Sequence, residues 1–117
     1  MTAHLSDSAV YDHQSISAYT LGSWGEHQEE KYLTEIWDKL NEISETPEKF
    51  RFRNDLFPSC QIASFGEHLI LFRIEESRLE VARVLHSEMD LKRYIQEDIA
   101  WSTARLRHWR GIHFPIR

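Results

Sequence analysis

The side chains of this chain whose types could carry chemistry are arginines and histidines. Arg51 and Arg53 alternate beside Glu48 and Asp55, and Arg73 and Arg83 stand twenty and thirty residues beyond Arg53 inside apolar runs. His86 follows, with Tyr94 beyond it. A histidine can give or take a proton near neutral pH, and arginines can stabilise developing phosphate charge. Each feature also has a plainer reading. Arg51 and Arg53 read better as a solvated ion-pair network with their acidic neighbours. Arg73 and Arg83 read better as partners of Glu80 or Glu75 that snorkel at a sheet edge. His86 and His68, at strand ends, read as structural histidines bonded to nearby carbonyls. Seven histidines are present, but none of their spacings is that of a metal site. His108 and His113 are separated by Gly111 and do not share a helical face, so no zinc centre is expected, and no cofactor either. Cys60 is the single cysteine, which excludes an internal disulfide and reads as a small inward-facing apolar residue.

A second chemical feature lies at the C-terminus. Trp101, Arg105, Arg107, Trp109 and Arg110 combine cations with large aromatic surface, the residue types most often found at binding hot spots. They are candidate partner-binding residues, either gripping an acidic partner or folding back on the body. From Ile99 onward the chain carries four arginines and no acid, a charge of +4 against −9 for the remainder. Direct nucleic-acid binding is therefore disfavoured, because it depends on neutralising phosphates with Lys and Arg.

These residues need elements to position them. Ala3–Ser6 reads as a short strand, and Ser6 as the N-cap of a helix running to Leu21. Gly22-Ser23-Trp24-Gly25 reads as its stop. Glu26 to Ser44 is the clearest helix: Tyr32, Leu33, Ile36, Trp37, Leu40 and Ile43 recur at steps of three and four, with acids and lysines between them. Trp24, Trp37 and this stripe read as core. The short break predicts a helical hairpin, closed by Pro47. A loop from Phe50 to Pro58 leads to three predicted strands, Cys60–Phe65, His68–Ile74 and Leu79–His86, with turns at Gly66-Glu67 and Glu75-Glu76-Ser77. The nearly unbroken apolar run after His68 suits a central strand covered on both faces. Asp90 then caps a third helix, predicted from Leu91 to about Arg110, and Ile112 to Arg117 is expected to dock on the body. The order predicts an α+β domain with a helical hairpin on one face of an antiparallel meander.

The length of 117 residues fits one domain. No apolar run approaches the roughly 18 residues that span a membrane. The start, Met1 to Asp7, has neither the basic nor the apolar region of a secretory signal. A cytoplasmic protein is expected.

An ordered set of segments carries a resemblance. Leu5 to Ala9 opens it, followed by Ala18-Tyr19-Thr20, Trp24-Gly25-Glu26-His27-Gln28 and Lys31-Tyr32-Leu33. Pro47 follows the second helix, and Asp55-Leu56-Phe57-Pro58 leads to Phe65-Gly66-Glu67-His68 and the strand ending at Arg73. Val81 to Asp90 closes the set. Together these resemble the ParE toxins of the RelE/ParE superfamily, over residues 3–91. The resemblance implies a toxin domain at residues 1–91, with residues 92–117 as a basic aromatic helical extension.

It also implies a stable toxin neutralised by a cognate antitoxin, through which oligomers could form. The ParE branch is described as poisoning DNA gyrase, which needs binding and no catalytic residues. The RelE branch cleaves messenger RNA on the ribosome. On that alternative, Arg51, Arg53, Arg73, Arg83 and His86 are the candidate catalytic set, because attack by a 2′-hydroxyl needs a base, an acid and cations. A member that binds antitoxin without toxicity is the third alternative. The lysine-rich run of an active ribonuclease is absent, and Cys60-Gln61 stands where the family often has an aromatic-basic pair.

Overall fold

The computed structural model describes residues 2–96 and 113–115. Strand β1 (Thr2–Leu5) runs into helix α1 (Asp7–Trp24) through Ser6, whose hydroxyl accepts from the Ala9 amide at 3.0 Å. The cap satisfies one of the amides that a helix start leaves without partners. Helix α1 passes through Gly22, where the sequence predicts a stop, and ends at Gly25. Gly25 takes φ +90° and returns its amide to the Leu21 carbonyl at 3.0 Å. That positive φ suits glycine, whereas Gly22 needs no special geometry and is simply helical. With one residue between them, α1 and α2 (Glu26–Glu45) form the expected hairpin. Its pairs run antiparallel: Ser17 donates to Glu29 at 2.6 Å, and His13 Nδ1 shares a 3.0 Å hydrogen bond with the Tyr32 hydroxyl. A 3₁₀ turn at Pro47–Lys49 follows.

The sheet has the order β2-β3-β4-β1-β5, with β2 at Gln61–Phe65, β3 at His68–Glu75 and β4 at Arg78–His86. The three form the expected antiparallel meander. The first strand makes the sheet mixed, because β1 lies parallel to β4, Ala3 beside Leu79 and Leu5 beside Val81. The predicted third helix appears as α3 (Leu91–Gln96), and the rest of its predicted range lies outside the described residues. The expected docking of the C-terminal residues takes the form of β5 (His113–Pro115), antiparallel to β1.

Both sheet faces are covered. The hairpin contributes Tyr32, Ile36, Leu40 and Ile43 against Phe65, Ile70, Phe72, Leu79 and Val81. The opposite face packs Ile62, Leu71, Ala82 and Leu85 on Leu56, Phe57, Cys60 and Ile95. This explains why β3 reads as almost continuously apolar. Cys60 is buried as expected, and burial pushes its thiol up to about 12, so it is chemically quiet. A bulge between Leu71 and Phe72 leaves Ala82 as the extra residue on β4, since Phe72 faces Val81 and Leu71 faces Arg83. Such irregularities re-aim the side chains beside them, and Arg83 is the next residue.

Candidate functional site

Helix α1 is arranged inside out. Its buried residues are Ala9, Asp12 and His13, while Tyr11, Tyr19 and Trp24 stand about 70% exposed, at 70%, 68% and 69%. Aromatic side chains are usually turned inward because their burial removes the most apolar surface from water. The sequence reading of Trp24 as core is therefore corrected, and Leu21 and Leu33 are likewise exposed. Trp37 is half-buried. Positions 11, 15 and 19 form one ridge along the helix, and 16, 20 and 24 the next, as four-residue spacing dictates. Both ridges line a groove of about 690 Å³. Its far wall comes from Glu67 and His68 at the start of β3, Arg83 to His86 at the end of β4, and Met89 and Tyr94.

What holds that groove open is a buried ion pair. Beyond Leu5 strand β1 no longer covers β4, and the first turns of α1 take over that edge. The Ser6 amide donates to the Val81 carbonyl at 3.0 Å, and the Ser6 hydroxyl to the Ala82 carbonyl at 2.6 Å. The Asp12 carboxylate then accepts the Val84 amide at 3.0 Å and two donors of Arg83, Nε at 2.7 Å and Nη2 at 2.9 Å. Arg83 Nη1 also donates to the Tyr94 carbonyl at 3.2 Å. One guanidinium thus ties α1, β4 and α3 together, with its fork matched to the carboxylate.

At the rim, His68 lies edge-on to Tyr32 and His86, and its proton affinity is lowered first by burial and then by His86. His86 Nδ1 accepts the Glu88 amide at 3.1 Å, and its Nε2 faces Glu67 at 3.6 Å. That places the ring proton on Nε2 when His86 is neutral. Deeper in, burial lowers the proton affinity of His13 and raises the pKa of its partner Tyr32.

The arginines resolve one by one. Arg73 does pair with Glu80, Nε to Oε1 at 2.7 Å, but the pair is buried in the sheet and not at its edge. Glu80 Oε2 is buried with no hydrogen-bond partner among the described residues, and burial raises the acid's pKa against the pull of Arg73. Arg83 pairs with Asp12, 71 residues upstream, and not with Glu75 or Glu80 as its neighbourhood suggests. Arg53 and Asp55 form the expected local pair, two bonds of 2.9 Å, which holds the Asp55 carboxyl at about 2. Arg51 is exposed on the same loop, its carbonyl accepting the Ile62 amide at 3.1 Å. Of the five residues named for ribonuclease chemistry, only Arg83 and His86 line the groove. Trp101, Arg105, Arg107, Trp109 and Arg110 lie outside the described residues.

Residues 3–91 match the family model described as "ParE toxin of type II toxin-antitoxin system, parDE". The chain is 31% identical over 90 residues to Toxin ParE1 of Mycobacterium tuberculosis, in both strain CDC 1551 / Oshkosh and strain ATCC 25618 / H37Rv. That alignment covers 76% of this chain and 92% of the relative. Among solved structures, a chain of the chromosomal ParDE TA system from P. aeruginosa shares the fold with a TM-score of 0.63 at 14% identity. The overlap takes in 75% of this chain and 97% of that one. With the family pattern running through β1, the hairpin and the meander, this protein belongs to the ParE toxins of type II toxin–antitoxin systems.

Proposed function

We propose that this toxin acts in the cytoplasm by binding and inhibiting DNA gyrase, and that a cognate antitoxin neutralises it by docking in the α1 groove. The observation that carries the reading is the inverted burial of α1. A helix whose outward face presents Tyr11, Tyr19 and Trp24 beside a 690 Å³ groove is built to lose that exposure to a partner. From Asp7 to Trp24 the helix has no lysine or arginine, so the face is aromatic and nearly neutral. An amphipathic helix laid into such a groove is a common recognition mode. Assembly into larger complexes would follow from the antitoxin.

Binding is favoured over messenger-RNA cleavage because three of the four candidate arginines are already held in ion pairs. Arg73 serves Glu80, Arg83 serves Asp12 and Arg53 serves Asp55. For the target contact we propose Trp101, Arg105, Arg107, Trp109 and Arg110, on composition alone. Supercoiling by purified gyrase is the test. Inhibition at micromolar toxin, relieved by antitoxin, is the expected result, with the chain cut back to residue 96 losing potency while keeping its fold. Unimpaired supercoiling together with codon-linked cuts in primer extension would give the ribonuclease reading instead.

A further inference from the structure

The family match ends at residue 91, and the P. aeruginosa relative is covered over 97% of its length by 75% of this chain. The last quarter is thus an addition to an already complete toxin fold. Part of it returns to the sheet. His113–Pro115 lies antiparallel along the outer edge of β1, pairing Thr2 with Pro115, Ala3 with Phe114 and His4 with His113. The edge it covers has none of the usual protections. Thr2-Ala3-His4-Leu5 contains no lysine, acid, proline or bulge, and bare edges of that kind template pairing with other chains. Across a two-fold axis residue i of one copy meets residue j of the other and j meets i, so a strand without lysine, arginine or acid sets no fixed like charges against each other.

The direction of the backbone groups adds to this. Ser6 sends its amide to Val81 of β4, so by strand alternation Ala3 and Leu5 turn theirs outward. Ala3 faces Phe114 there, which makes that pair the hydrogen-bonded one. Pro115, without an N–H, then falls on a pair where no ladder bond is lost.

We propose that His113–Pro115 is a built-in plug on β1, and that the surface it occludes is a self-association edge for a second copy of this chain, pairing β1 with β1. The toxin stays monomeric while the plug is seated.

The test compares the full chain with Phe114→Pro and with a chain stopped after Ile112. Mass by light scattering is read over a wide range of protein concentration, together with hydrogen exchange at Ala3 and Leu5. The full chain should be monomeric, with the Ala3 amide protected at every concentration. In the dilute variants the Ala3 amide should exchange about tenfold faster or more. At high concentration dimers should form, with the Ala3 and Leu5 amides both protected. Variants that stay folded and monomeric throughout, or that associate while Ala3 and Leu5 stay unprotected, overturn the proposal. So does a full chain whose Ala3 amide is already unprotected, a result that does not depend on either variant folding.

Discussion

Asp12 and Arg83 decide more than any other pair. The carboxylate accepts three donors while 8% exposed, and the guanidinium is 10% exposed. Removing one partner strands the other charge away from water, so Arg83→Ala should cost about 3–5 kcal/mol in urea unfolding. Lysine should not rescue it, because it lacks the planar fork that meets both carboxylate oxygens. Arg53→Ala, whose partner Asp55 is exposed, should shift the midpoint by less than about 1 kcal/mol in stability. Histidines set the pH dependence. Burial lowers His13 and His68 below 6.5, so the unfolded chain binds protons that the folded one refuses. Their contribution is therefore complete above 6.5 and lost as pH falls below it through their lowered folded values. Glu80 acts in the opposite sense: its raised pKa contributes below 4.5 and is lost as pH rises through the folded value. Chemical denaturation across that range should show a loss of stability on acidification that His13→Gln diminishes. The arginine partners were only half legible in the sequence. Arg53 and Asp55 lie two residues apart, and Arg73 and Glu80 face each other across a hairpin. Asp12 and Arg83 meet only because α1 folds over the uncovered end of β4, a consequence of tertiary structure with no local signal.

At the scale of elements, α2 and the meander were readable for a physical reason. Tyr32, Ile36, Leu40 and Ile43 face one core while glutamates and lysines alternate with them, so period and burial agree. In α1 they disagree, since the rule that apolar residues point inward fails at the exposed Tyr11, Tyr19 and Trp24. The signal available was that α1, between its capping Ser6 and Gly25, carries almost no charge to mark a solvent side. Strand β5 is too short for any alternation to show. Two substitutions probe these elements. Gly22 is helical with nothing near its missing Cβ, so Gly22→Ala should raise stability by about 0.5–1 kcal/mol. The β3–β4 turn places Glu76 at φ 49° and Ser77 at φ 63°, a left-handed pair without glycine. Ser77→Gly should therefore raise the thermal midpoint, relieving a strain of about 1–2 kcal/mol.

The molecule as a whole is a sheet buried on both faces, with a groove left where α1 leans over the end of β4. Its stability lies in the two cores and the Asp12–Arg83 clamp, and the recognition surface proposed above lies in side chains those cores do not use. That separation gives the account its most direct test: calorimetric titration of the cognate antitoxin into the wild type and into Tyr11→Ala/Trp24→Ala. The expected result is a loss of affinity of about 30-fold or more, the scale of a hot spot worth 2 kcal/mol. The unfolding free energy should stay within about 0.5 kcal/mol of wild type, because exposed side chains add little to stability. An unchanged affinity in the folded double variant would contradict the assignment of the α1 groove as the antitoxin site.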